Sequence, residues 1–202
     1  VNGGWQTIGF AVEYSFFQLL FAFGKSLIQV AMDQFVQEGA KLLASYGYTT
    51  AQEGRATASS LNAISRVAVT GALEIVIVVY PDILEIDTIE PIREYANRFR
   101  VGGAKLTIDG SPQGKTAWLT QPYHIPPEGK GGDYAGYAAV TEQQALDAID
   151  KAYANNWQII THTNGDAAID LLIKAIGEVQ QKYPQVDNRP VMIHGQTTRE
   201  DQ

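Results

Sequence analysis

The chain has 202 residues and no cysteine, so it can form neither disulfides nor thiolate metal ligands. A transition-metal site would have to use His, carboxylates or a modified Lys. Cations are scarce as well: 15 Lys and Arg against 22 Asp and Glu give a net charge of −7. A surface that grips a phosphate backbone needs clustered Lys and Arg, so no nucleic-acid partner is expected. Long apolar runs are also missing. The stretch 16–23 is interrupted by Gln18 and falls short of the roughly 20 residues that cross a bilayer. No basic segment precedes it, as a signal peptide would require. The reading is a chain without a membrane span, in the cytoplasm, where cysteine-free proteins are at home.

What is present is ordinary for a folded domain: 45% hydrophobic and 18% charged residues, in a chain long enough for one sizeable core. Residues 1–25 form an apolar, aromatic segment that the pattern does not place. After it, strand-like and helix-like stretches alternate. Leu27, Val30, Ala31, Phe35 and Leu42 keep helical spacing over 26–46, and Gly47 follows as a stop. A short strand is expected at 48–52, a helix at 58–70 with Leu61, Ile64 and Val67 inward, and a strand at 73–80. That last run, LEIVIVVY, is continuously apolar, which suits a strand buried on both faces. Ile89, Ile92, Tyr95 and Phe99 predict a helix over 88–99.

Further strands are expected at 104–108, 157–162 and 190–194, with helices from Thr141, where Gln144 completes a capping box, and over 166–183. Between 109 and 140 lies a loop rich in Gly and Pro, of a length that usually signals function. The alternation predicts βαβ units and an α/β fold with a parallel sheet. About five units fit, too few to close an eight-stranded barrel of about 250 residues. The expected organisation is a fragment of a single domain belonging to a longer protein.

Three polar side chains stand at or near the ends of expected strands: Lys105 in GAKLTIDGS, His162 at the end of WQIITH, and His194 at the end of PVMIH. Folds of parallel strands build their sites at the carboxyl ends, and neutral imidazole is the commonest metal ligand. One such His is more often structural than ligating; two in equivalent places share one mouth. Lys105, inside an apolar strand, must pair, snorkel or be modified; a salt bridge and a Schiff base are equally open to it. Asp109-Gly110 and Asn164-Gly165-Asp166 follow two of these strands. Turn chemistry and helix capping explain them as readily as a site does. Gln113-Gly114-Lys115-Thr116 lacks the first Gly of a phosphate loop and is set aside. His124 lies in the long loop and reads as an ordinary loop residue.

The segments GAKLTIDGSPQGKTAWLTQPY, QIITHTNGDAAID and RPVMIHGQ, in that order, resemble the amidohydrolase superfamily, in particular its amidohydrolase-3 branch, which includes N-substituted formamide deformylases. The resemblance implies a partial (β/α)8 barrel of the TIM type covering roughly strands 2 to 6. It implies Lys105, often carboxylated, with His162 and His194 as ligands of one or two divalent metal ions, expected to be zinc. It implies hydrolysis of a C–N bond in a small-molecule amide or formamide by a metal-activated water. Asp109, Tyr123 and Asp166 are the residues expected to bind substrate or support the ligands. Two departures stand out. The family's first-strand His-x-His pair and its eighth-strand Asp, which acts as general base, have no counterpart in these 202 residues. The motif His-Thr-Asn-Gly-Asp at 162–166 also replaces the usual His-Ala-Ile-Gly-Asp. A catalytically incomplete domain that binds small molecules or a partner is therefore the alternative, and an incomplete barrel is expected to self-associate or to bind its remaining segments.

Overall fold

The structure is a computed structural model in which residues 29–202 are described. The apolar segment 1–25, and the start of the helix expected from residue 26, lie outside the described residues. The first described helix, α1, runs Gln29–Ser45 and stops at Gly47, whose φ of 84° suits a residue without Cβ. Its spacing was legible but its inner face was not. Val30, Phe35 and Leu42 are exposed, whereas Ala40 is buried and Val36, Leu43 and Ala44 pack on the core. Asp33 supports this orientation by accepting from Arg66 Nε at 3.1 Å and from Arg66 Nη2 at 2.5 Å.

Strand β1 (Thr50–Ala56) leads into α2 (Ala58–Val69), capped by the Thr57 hydroxyl accepting from Ser60 N. The inward Ile64 and Val67 are buried as expected. Strand β2 (Val76–Pro81) is buried over its last five residues, and β3 (Phe99–Val101) pairs with its other side, giving a parallel sheet in the order β1-β2-β3. The helix expected over 88–99 does not form. Pro91 donates no hydrogen bond and disfavours helical geometry at Glu90, and Asn97 and Arg98 turn the chain with φ of 52° and 64°. The backbone bonds of this stretch go elsewhere: Ile92 N donates to Val101 O, and Ala96 and Phe99 pair with each other.

The second parallel sheet is β4 (Ala104–Thr107), β5 (Ile159–Thr163) and β6 (Val191–His194), in that order. A parallel bridge between Asp82 and Lys105 joins the end of β2 to β4. Helices α3 (Glu142–Ala154) and α4 (Asp166–Lys182) cover this sheet. The capping box at Thr141 is complete, with both its hydrogen bonds formed, and Ala145, Ala148, Ile149 and Ala152 are all buried. The large core lies on the helix-packed side. A small second cluster of Val78, Tyr80 and Ile160 lies apart from it. Strands and helices alternate as the sequence predicts except between β2 and β4, where β3 stands in place of the expected helix.

Between β4 and α3 the chain leaves the sheet and comes back to the same place. Ala139 N donates to Ile108 O at 2.7 Å, Leu119 N to Ala135 O at 2.7 Å and Tyr123 N to Tyr134 O at 2.9 Å, closing the long loop on itself. Residues 113–116 form a turn inside it, held by Gly114 N donating to the Ser111 hydroxyl at 3.1 Å. The next helix begins only at Glu142, so this stretch lacks the strand-loop-helix context of a phosphate loop.

Candidate functional site at the strand ends

Strand register fixes which side chains share a face. Lys105 aligns with Ile160, and Thr107 with His162. Neighbours in register on parallel strands point the same way, so Lys105, Thr107 and His162 lie on one face. His194 aligns with Thr163 and by parity belongs to the opposite face. The chain corrects this at the last residue of β6. His194 has φ of 76°, a left-handed conformation costly for a residue with a Cβ. Its ring meets that of His162 edge-on, with centroids 4.4 Å apart and an angle of 71°. The three residues singled out at the strand ends thus rise from adjacent strands β4, β5 and β6, and two of their side chains are in contact.

Lys105 is 4% exposed. Burial, reinforced by the Arg55 guanidinium, brings its ammonium pKa down to about 8, against the opposing pull of Asp82. Arg55 Nε donates to Asp82 Oδ2 at 2.7 Å, so the two charges nearest to Lys105 are paired with each other. Beside them a cavity of about 340 Å³ opens at the ends of β1, β2 and β4, lined by Arg55, Asp82, Leu84, Thr107, Gly110 and Tyr137 among others.

His162 is held from its rear. Its Nε2 lies 2.8 Å from the Gly110 carbonyl oxygen, 3.2 Å from Asn164 Nδ2 and 3.7 Å from Asp109 Oδ1. Asp109, expected to touch substrate, lines that cavity and is also a fastener. Its Oδ1 accepts from Asn164 N at 2.8 Å, and its Oδ2 accepts from Gly165 N at 2.7 Å and Trp118 N at 3.0 Å. The side chain is fully buried. One carboxylate therefore ties the end of β4, the long loop and the turn after β5 together.

Asp166 is likewise drawn into structure, though not as a helix cap. Gly165 holds the N-cap position of α4 and makes no side-chain cap. Asp166 accepts from Thr120 N at 2.9 Å, from the Thr120 hydroxyl and from Arg199 Nη1 at 2.9 Å. Burial pushes this carboxyl up, but the Thr120 and Arg199 bonds outweigh it and leave its pKa below the ordinary value. Gly165 is required here because a Cβ would come within 1.9 Å of the Trp118 carbonyl oxygen. Tyr123 commits its hydroxyl to the Ala117 carbonyl at 3.0 Å, and burial first, then Tyr134 and Asp109, raise its pKa to about 12. His124 is exposed in the loop, as its sequence context suggested.

Sequence reasoning passed over three participants. Thr107 carries a buried hydroxyl without a hydrogen-bond partner; the strand register would have placed it beside His162. Asn164 was legible only as a turn residue and as a departure from a motif. Arg199, which binds both Asp166 and Asp170, left no local signal at all.

Against this geometry stand the comparisons with known proteins. No curated protein matches the sequence. Two solved structures share the fold. An uncharacterized metal-dependent hydrolase from Pyrococcus horikoshii OT3 superposes with a TM-score of 0.74 at 20% identity, over 94% of this chain. An uncharacterized metal-dependent hydrolase from Pyrococcus furiosus does so with a TM-score of 0.68 at 20% identity, over 83%. The chain spans 38% and 36% of the length of those two proteins. The sequence pattern of the amidohydrolase family matches residues 2–202, and the chain belongs to that family.

Proposed function

We propose that this chain carries one side of the catalytic site of a metal-dependent hydrolase built on a (β/α)8 barrel, which cleaves the C–N bond of an amide or formamide. The observation that carries this reading is the rise of Lys105, His162 and His194 from three adjacent parallel strands, with the two imidazoles in contact at 4.4 Å. Among the described residues no group of three or more His, Cys, Asp and Glu is arranged to hold a metal ion by itself. A metal would therefore draw on His162 and His194, on Lys105, and on residues beyond those described. The donor chemistry fits that role: two imidazoles, and a buried amine whose lowered pKa makes it more readily neutral, as carboxylation by CO2 requires. A divalent ion bound there, zinc in this proposal, would act as a Lewis acid and lower the pKa of a water. The chain's own part is to hold donors at the carboxyl ends of the strands and to bring the long loop over them through Asp109.

The edge of the second sheet supports completion by further segments or by a second copy. Strand β6 stands last in its sheet, and its Val191 and Met192 are 41% and 43% exposed. A second reading, small-molecule binding without turnover, is favoured by the cavity beside Thr107 taken with the incomplete donor group. Elemental analysis of the full protein, wild type and His162→Ala/His194→Ala, separates the two, alongside turnover of simple amides and formamides. Stoichiometric metal that disappears with turnover in the double variant is the expected result. Unchanged metal and turnover in that variant would remove both histidines from the site, and ligand binding with neither metal nor turnover would favour the second reading.

A further inference from the structure

We infer that Asn164 is a positioning residue that fixes which ring nitrogen of His162 carries the proton. One carbonyl decides it. Gly110 O receives His162 Nε2 at 2.8 Å and Asn164 Nδ2 at 2.8 Å. A carbonyl oxygen only accepts, so both neighbours must donate to it. The proton of the neutral His162 ring is therefore on Nε2, and its lone pair is on Nδ1. By the same logic the amide of Asn164 turns its NH2 toward Gly110 and leaves Oδ1 elsewhere. That Oδ1 is buried and makes no hydrogen bond, in a residue 2% exposed. A buried unmet acceptor costs free energy, and the alternative amide orientation would set two acceptor oxygens against each other.

Asn164 does more than share the acceptor. Its backbone N–H is held by Asp109 Oδ1 at 2.8 Å, and its carbonyl accepts from Thr197 N at 3.1 Å and the Thr197 hydroxyl at 2.8 Å. It is anchored on both sides, and its amide pins the Gly110 carbonyl where His162 Nε2 reaches it. An aliphatic residue at this position has no donor with which to hold that oxygen. In its bearing on a metal the inference rests on the reading above, since a ligand imidazole is oriented by what its other nitrogen binds. In its bearing on the tautomer it does not.

The test is 15N NMR of the metal-free full protein with labelled histidine, the His162 signals being assigned by their loss in His162→Gln. Lone-pair and protonated ring nitrogens resonate in separate regions, so the tautomer is read directly. Wild type should carry its proton on Nε2. Asn164→Ala removes the donor and should show a mixed tautomer population, whereas Asn164→Asp sets an accepting oxygen near His162 Nε2, from which Asn164 Nδ2 lies 3.2 Å, and should keep the proton on Nε2. The zinc affinity of Asn164→Ala, from competition titration, should fall by about ten- to a hundredfold, as for other partners of ligand side chains. A proton on Nδ1 in wild type overturns the inference without recourse to any variant. A pure Nε2–H tautomer retained in Asn164→Ala overturns it too, for Gly110 alone would then suffice. A tautomer that shifts while no form binds zinc upholds Asn164 as the positioning residue and removes the metal reading instead.

Discussion

The ends of β5 and β6 carry the same residue type one strand apart, and the fold treats them in opposite ways. His162 has a side chain only 12% exposed, its Nε2 bonded to the Gly110 carbonyl, beside a turn that Asp109 holds with two accepted N–H bonds while a third ties in the long loop. His194 is exposed and reaches its neighbour through a left-handed residue at the last position of an edge strand. The first is set by the surrounding hydrogen bonds. The second ends an edge strand in a left-handed torsion.

The largest expected break in that contrast comes from Asp109→Ala. It strands two buried N–H groups, each worth about 1–3 kcal/mol when unmet, and a third that is part-buried, so urea denaturation should show a loss of about 3–5 kcal/mol. A loss under about 1 kcal/mol would mean that Asp109 is no fastener. Lys105→Met comes next, and its sign depends on pH. The folded-state pKa of about 8 lies below the ordinary 10.5, so folding is penalised while the ammonium must be buried in charged form. The penalty, about 3 kcal/mol by linkage, is fully present below pH 8 and fades as pH rises toward 10.5. In metal-free, CO2-free buffer the Met variant should be the more stable at pH 7 and should lose that advantage by about pH 10.5. An advantage independent of pH would point to packing alone. The smallest effects sharpen the comparison itself. His162→Ala should cost about 2 kcal/mol and His194→Ala under about 0.5 kcal/mol in thermal or urea unfolding of the metal-free protein. Equal costs would erase the distinction between the two strand ends.

Much of this was legible before any coordinates. The capping box at Thr141, the inner faces of α2 and α4, and the strands bearing Lys105, His162 and His194 all follow from local pattern, because each is decided within a few residues. What failed was decided at a distance. Ile89, Ile92, Tyr95 and Phe99 keep helical spacing, yet the segment spends its backbone donors on Val101 and on its own turn. Strand β1 extends through Glu53, Gly54 and Arg55, residues that look nothing like a strand, because β2 pairs with Glu53 and, beyond an irregularity at Gly54 and Arg55, with Ala56. At the site, sequence put the two histidines on equivalent strand ends but could not foresee the torsion that brings their rings together. It marked Asp109 and Asp166 as polar residues after strands, a description that fits a substrate contact and a structural fastener equally well.

The closure of the loop between β4 and α3 has an evolutionary consequence. Ile108 and Ala139, where it departs and returns, are joined by a backbone hydrogen bond, and the stretch near Glu128–Asp133 is exposed. Lengthening or rewriting that outer stretch would leave the departure point unmoved, since chain added beyond a closed neck adds little to the entropy of closing it. The loop is in this sense a replaceable cassette, in which selection can vary what hangs over the strand ends without disturbing the residues beneath.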